Sequence, residues 1–242
     1  MTYRPQSSRQ RVSAALAWRP EWPVGVLVVV AWVVLAALHV TTPAGSGGHH
    51  GAAQTLGVLV GGWALMSAAM MLPATLPAVR HVGLNSTRRR RWWAITVYVS
   101  AYVAVWIAFG VPALLLLGPV TATGMTDARI AAGLFAVAAS WQLTRWKRRS
   151  VVACRRTVAL PPHGRRADLA CVRFGVGQAG RCVVASWPLM LLMALLGHTN
   201  LFAMIAATAV VAAEERTASA HLLLVPTAAA FAAGAVYAVV LV

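Results

Sequence analysis

The basic residues of this chain fall in alternate gaps between long apolar runs, and this pattern restricts the fold more than any other feature. Residues 41–54 and 118–126 contain no Lys or Arg, whereas residues 80–91 contain five and residues 145–181 contain ten. Short loops that stay in the cytoplasm keep Lys and Arg, while translocated loops do not. The alternation, which only Arg129 breaks, therefore predicts a multi-pass protein of the bacterial inner membrane with a cytoplasmic N-terminus.

Composition and run length predict an all-α fold, a polytopic bundle of transmembrane helices. The chain is 60% hydrophobic and 11% charged, whereas soluble domains contain about 25% charged residues. A helix needs about 20 apolar residues to cross the hydrocarbon core. The sequence predicts seven spans, or six if the short sixth run does not cross, and they lie near residues 24–40, 55–78, 93–117, 126–144, 175–196, 199–213 and 221–241.

The chain divides into a basic cytoplasmic segment, residues 1–22, and one transmembrane domain, residues 23–242, with a cytoplasmic loop at residues 145–173. The basic residues are explained by topology and by attraction to anionic lipid headgroups. No aromatic-interleaved basic patch or nucleic-acid module is present, so we expect no nucleic-acid partner. The sequence also has no phosphate loop, HExxH helix or serine-hydrolase arrangement, so we expect no enzymatic activity.

Sulfur-bearing side chains recur at helical spacing in two of the predicted spans. One stripe contains Trp63, Met66, Met70, Pro73 and Pro77, and the other contains Cys182, Ser186, Met190 and Met193. Soft thioether and thiolate ligands select Cu(I). Methionine also fills irregular gaps in packed interiors, and a methionine stripe at helical spacing arises more often from packing than from metal binding.

Histidines and cysteines outside the two stripes extend the candidate set. His198 lies on the same predicted outer side as His49 and His50, where imidazoles could capture a metal ion. Cys154 lies in the cytoplasmic loop, in a spacing that matches no known zinc module. The candidate metal ligands are Met66, Met70, Cys154, Cys182, Met190, Met193 and His198.

Two prolines and two glutamates carry further expectations. Pro73 and Pro77 leave backbone carbonyls without an intrahelical donor, and these must find water, a side chain or a neighbouring helix. Glu214 and Glu215 end the sixth run, where solvation by headgroups accounts for them and Arg216 could neutralise one. The alternative is that Glu214 turns inward as an oxygen ligand.

Several of these segments resemble a bacterial family described as predicted metal-binding integral membrane proteins. The most specific match is W-x-x-M-x-x-A-M-M-L-P-x-x-x-P, from Trp63 to Pro77. Further matches are Tyr102, Trp106 and Phe109 in Y-x3-W-x2-F, Gln142, Leu143, Thr144 and Lys147 in Q-L-T-P-x-K, Trp187, Leu189 and Met190, and an acidic residue near Glu214 or Glu215. The resemblance implies a membrane helix bundle with metal-binding thiols.

The chain departs from that family at several thiol positions. Arg145 replaces the proline of Q-L-T-P-x-K, and Ser150 replaces the first cysteine of the C-x3-C pair that Cys154 completes. Where the family reads C-x-x-C-C-W, this chain keeps Cys182 but has Ala185 and Ser186. The methionines are therefore what remains of the soft-ligand set.

The sequence leaves two function classes open. We favour a non-catalytic accessory subunit that packs within a larger membrane complex such as a metalloenzyme, because thiols are missing and the span centres lack carboxylates. The alternative is a copper-binding or copper-handling membrane protein that uses Met, Cys and His ligands. The lipid bilayer is the expected surrounding in both, other membrane subunits are the expected partners, and copper is the one candidate cofactor.

Overall fold

The computed structural model describes residues 19–41, 56–122, 128–196, 201–217 and 220–240, and every regular element in them is a helix. This confirms the all-α class. The helices are α1 (Trp22–Thr41), α2 (Leu56–Asn85), α3 (Arg91–Ala122), α4 (Ala128–Gln142), α5 (Arg145–Cys154), α6 (Arg165–Leu196), α7 (Leu201–Arg216) and α8 (Ala220–Val240).

Each of the seven predicted spans corresponds to a helix, but the helices differ in their capacity to cross a bilayer. Four segments are long and apolar enough: Trp22–Thr41, Gly57–Asn85, Arg91–Leu117 and Arg165–Leu195. Helix α8 contributes a shorter apolar segment, Leu223–Val239. Helices α4 and α7 have 15 and 16 residues, which is about 23 Å and less than the hydrocarbon thickness of about 30 Å.

The loop between the fourth and fifth predicted spans is more helical than its sequence suggests. Helix α5 occupies its first part, and the Thr144 side chain caps that helix by accepting from the Lys147 backbone amide. Helix α6 begins at Arg165, ten residues before the predicted span at 175. The irregular stretch shrinks to residues 155–164 and ends at Gly164, whose φ of +84° only glycine adopts readily.

Helix α2 continues through both of its prolines because other helices satisfy the carbonyls that they free. Pro73 cannot donate to the Ala69 carbonyl, which accepts from the Trp32 indole of α1 at 3.0 Å. Pro77 cannot donate to the Pro73 carbonyl, which accepts from the Arg216 guanidinium of α7 at 3.0 Å. Of the expected partners (water, a side chain or a neighbouring helix), the structure shows side chains of neighbouring helices, and these bonds tie α1 and α7 to α2.

The same arrangement recurs in α6. Pro188 cannot donate to the Val184 carbonyl, and the Trp141 indole of α4 donates to it at 2.9 Å. The Trp141 and Trp187 rings also meet edge to face at 5.3 Å. An unsatisfied carbonyl in an apolar interior costs several kcal/mol, so these bonds allow proline within long helices.

Membrane orientation stays a prediction, and thiol labelling of intact cells tests it. Ser46→Cys, in the gap without basic residues, should react with a membrane-impermeant maleimide, whereas Arg88→Cys should react only after lysis. Arg88 is exposed, so its protection can be attributed to the membrane. The native cysteines are all buried, which keeps the background low. If Arg88→Cys but not Ser46→Cys reacted from outside, the orientation would be the reverse of the predicted one.

Candidate metal centre

Methionine is concentrated in the interior of the bundle. Every methionine for which the structure describes the side chain is buried in one cluster, and these are Met66, Met70, Met71, Met190, Met193 and Met204. The first three lie on α2, the next two on α6 and the last on α7. The methionines of both predicted stripes therefore face the interior, as expected if sulfur packs between helices.

A close approach of two sulfur atoms joins α2 to α6. Cys182 Sγ lies 3.9 Å from Met71 Sδ, and both side chains are at most 1% exposed. The Ser186 hydroxyl, one turn further along α6, lies 3.8 Å from the same Met71 sulfur. Ser186 Oγ also lies 2.8 Å from the Cys182 carbonyl oxygen, so its single proton is shared between that carbonyl and the Met71 sulfur.

Two oxygen-bearing side chains complete the surroundings of Cys182. The Glu215 carboxylate, in the last turn of α7, places Oε1 3.6 Å from Cys182 Sγ. The buried Tyr102 hydroxyl of α3 also lies beside the thiol and has no conventional hydrogen-bond partner. The centre is therefore bordered by α2, α3, α6 and α7, and a carboxylate adjoins the thiol of the sulfur pair.

The spacing of the two sulfurs suits a shared metal ion. Metal–sulfur bonds of about 2.3 Å place two ligand sulfurs about 3.8 Å apart at a tetrahedral angle and about 4.6 Å apart in a linear arrangement. The observed separation of 3.9 Å falls within that interval. Thiolate and thioether donors favour Cu(I) over harder cations. Over the described ranges, no three His, Cys, Asp or Glu side chains form a metal-binding group.

Glu214 occupies a separate buried network, and the expectation that headgroups solvate it is wrong. Its side chain is 2% exposed, and its Oε2 pairs with Lys147 Nζ at 2.6 Å. The Gln142 amide donates to Glu214 Oε1 at 3.0 Å and reaches the Thr227 hydroxyl at 3.2 Å. Glu214 does turn inward, but partners already engage both of its oxygens.

Arg216 does not neutralise either glutamate, contrary to the second part of that expectation. Its guanidinium donates instead to the Pro73 carbonyl, at 3.0 Å. Lys147 supplies the compensating charge instead. The difference arises because α5 folds back against α7, a tertiary contact that local charge counting does not include.

Cys154 is buried in the same core cluster but has other neighbours. Its carbonyl accepts from the Gln178 amide at 2.6 Å. Burial raises the pKa of the Cys154 thiol, and the Glu215 carboxylate raises it further. Whether Cys154 binds metal stays a prediction.

The remaining predicted ligands are not brought to the Cys182 centre by any described contact. Met66, Met70, Met190 and Met193 are buried in the surrounding core. Whether they bind metal stays a prediction. His198, with His49 and His50, lies outside the described residues.

The sequence did not predict that Met71 would contact Cys182. It also did not predict that Glu215 would lie beside the Cys182 thiol. Met71 is next to the predicted stripe residue Met70 but lies about 100° away around the helix. A usable signal was present: Ser67, Met71 and Thr75 are four residues apart, and both polar members are at most 2% exposed. Polar side chains on one face of an apolar helix indicate the face that meets other polar groups.

Comparison with known families identifies the chain. Residues 60–238 match the model of the PpoB2 family, which is described as copper chaperones. The chain belongs to this family. The matched segment contains Met71, Cys182 and Glu215, together with the Lys147–Glu214 pair. No curated protein and no solved structure matches the chain.

Membership in a copper-chaperone family agrees with the metal-related character that the motifs imply. It does not test the narrower resemblance to the predicted metal-binding integral membrane proteins, which stays a prediction. The structure does explain part of that motif. Gln142, Thr144 and Lys147 serve respectively as a Glu214 partner, the cap of α5 and the counter-charge of Glu214.

Proposed function

We propose that this protein is a membrane-embedded copper carrier that binds Cu(I) between α2 and α6 and passes it on without catalysing bond chemistry. The observation that carries the proposal is the pair of buried sulfurs, Met71 Sδ and Cys182 Sγ, 3.9 Å apart. Cu(I) is cargo in this proposal. The family description, copper chaperones, supports the alternative reading of the sequence over the accessory-subunit reading.

The surroundings of the pair suit a soft monovalent cation. A thiolate at Cys182 would balance the charge of Cu(I), which matters because an uncompensated ion in an apolar interior is strongly unfavourable. The Glu215 carboxylate, 3.6 Å from Cys182, adds further negative potential. The buried methionines around the pair supply polarizable groups that can adjust to the ion.

Glu215 also gives the centre a side from which copper can leave. Cys182 is fully buried, whereas Glu215 is only half-buried at the end of α7. Two sulfur ligands leave room in the metal's coordination for a donor from another protein. Transfer would then proceed by ligand exchange at this end of the bundle, which the distribution of basic residues predicts to be cytoplasmic.

Cu(I) affinity of the purified protein tests the proposal. The full chain in mild detergent, titrated against a chromophoric Cu(I) chelator under reducing conditions, should bind one Cu(I). We expect Cys182→Ala to lower the affinity about 100-fold or more and Met71→Leu about 10-fold, because loss of the thiolate removes both a ligand and the balancing charge. Met71→Leu keeps the side-chain volume nearly constant.

Cys171→Ala is the matched control, since Cys171 is also a buried cysteine of α6 but lies eleven residues before Cys182. Its affinity should equal that of the wild type. Equal Cu(I) affinity in wild type and Cys182→Ala would refute the site. Loss of binding in Met70→Leu/Met190→Leu but not in Met71→Leu would move the site to the predicted stripes.

The accessory-subunit reading and the absence of enzymatic activity stay predictions. The same purification, performed at native expression, tests the first of them. A stable set of co-purifying membrane chains together with no stoichiometric Cu(I) binding would favour a structural subunit. Stoichiometric copper in the isolated chain would favour the carrier.

A further inference from the structure

A groove of about 600 Å³ runs along one face of α6, at the end of the helix that precedes the copper centre. The segment at residues 158–161 forms its opposite wall. Three arginines and several apolar side chains share the lining, and the principal ones are Leu160, Arg166, Leu169, Arg173, Phe174 and Arg181. This groove takes no part in the copper site.

The irregular wall of the groove is held in place by α2. His81 Nε2 lies 2.8 Å from the Val158 carbonyl, and the Asn85 amide lies 3.2 Å from His81 Nδ1. A carbonyl can only accept, so His81 Nε2 donates to Val158. The His81 ring also meets Phe174 edge to face at 6.0 Å, so the wall is attached to the floor of the groove.

Among the described residues, no acidic partner is found for the three arginines of the groove. Neither the Arg90–Asp168 pair nor the Lys147–Glu214 pair includes them. They recur along one face of α6, at positions 166, 173 and 181. Three uncompensated cations above an apolar floor create a site that attracts an anion with an apolar part.

Arg181 lies further into the apolar part of α6 than the other two arginines. It lies about 9 Å beyond residue 175, where the apolar part of α6 is predicted to begin. A cation at that depth is unfavourable unless it reaches the interface or meets an anion. Because its side chain lies in the groove, a phosphate there would meet that requirement.

We propose that this groove binds an anionic phospholipid, with the phosphate diester on the arginines and an acyl chain against Leu160, Leu169 and Phe174. Guanidinium groups bind phosphate oxygens through paired N–H donors. Basic pockets beside transmembrane helices on the cytoplasmic side bind such headgroups. The apolar floor distinguishes a lipid from free phosphate as the ligand.

Native mass spectrometry of the full-length protein tests the proposal, with phosphatidylglycerol or phosphatidylcholine as the probe. Wild type should retain phosphatidylglycerol in preference to phosphatidylcholine. Arg173→Gln/Arg181→Gln should lower that affinity about 30-fold, since each basic residue near an anionic lipid contributes a several-fold factor. The matched control is Arg148→Gln/Arg149→Gln, which removes two exposed arginines of α5 outside the groove and should retain wild-type affinity.

A second variant keeps the test decisive if the double variant does not fold. Leu169→Glu places a carboxylate in the groove at a side chain that is 50% exposed, so it should fold and should repel the phosphate. Val172→Glu, on the same helix but outside the groove, is its control. The proposal would be overturned if the wild type retained both lipids equally, or if the groove variants and their controls lost the same affinity. It would also be overturned if millimolar inorganic phosphate displaced the lipid.

Discussion

Replacing Lys147 with Met should lower the free energy of unfolding by about 3–5 kcal/mol, the largest single effect that we expect in this protein. Lys147 and Glu214 are 3% and 2% exposed, and their charged atoms are 2.6 Å apart. Removing the cation leaves a buried carboxylate with only the Gln142 amide as a polar partner. The melting temperature in detergent, followed by circular dichroism, should fall accordingly.

The double variant Lys147→Met/Glu214→Leu distinguishes loss of an ion pair from loss of packing. With both charges removed, no uncompensated carboxylate remains, so most of the lost stability should return. Arg148→Met is the matched control because Arg148 is an exposed cation on the same helix, and its effect should be within about 0.5 kcal/mol. A single Lys147→Met variant as stable as the wild type would mean that Glu214 is compensated in another way.

Gly175→Ala should destabilise the bundle by about 2 kcal/mol or more, because it overpacks the contact between α3 and α6. A Cβ at this position would lie 2.7 Å from the Tyr98 carbonyl oxygen and 3.1 Å from the Ala101 Cβ. These obstacles belong to the backbone of α3 or lie directly on it, so they cannot rotate away. The two helices would have to separate, which would loosen the Tyr98–Phe174 ring contact at 5.3 Å.

Gly180→Ala is the control on the same helix. A Cβ there meets no atom within 4 Å, and alanine is a better helix former than glycine by up to about 1 kcal/mol. Its melting temperature should equal or exceed that of the wild type. Similar losses in Gly175→Ala and Gly180→Ala would show that backbone propensity, rather than close packing, decides the effect.

The helices themselves were predictable because the requirement for them is local. An apolar run of about 20 residues between polar loops forms a helix because a helix pairs all of its backbone N–H and C=O groups, whatever its neighbours are. The errors lie at the ends: α2 extends to Asn85 and α6 begins at Arg165. Both extensions are packed against other elements, which run length cannot reveal.

The candidate centre was predictable in its chemistry but not in its members. The stripes correctly placed sulfur in the interior, and Cys182 was among the predicted ligands. The partner sulfur belongs to Met71 rather than to Met70. Which of two adjacent methionines faces the cysteine depends on the rotation of α2 against α6, and that rotation is decided by packing rather than by local sequence.

Sequence alone therefore determined the helical class, the sulfur-rich interior and the carbonyls that need partners, because hydrophobic length, helical period and proline chemistry act within a single helix. Tertiary structure alone decided that Trp32 and Arg216 satisfy those carbonyls and that Lys147 neutralises Glu214. It also directed Glu214 and Glu215 into two different sites. Adjacent residues on a helix point about 100° apart, so the helices packed on each side determine which partner each one meets.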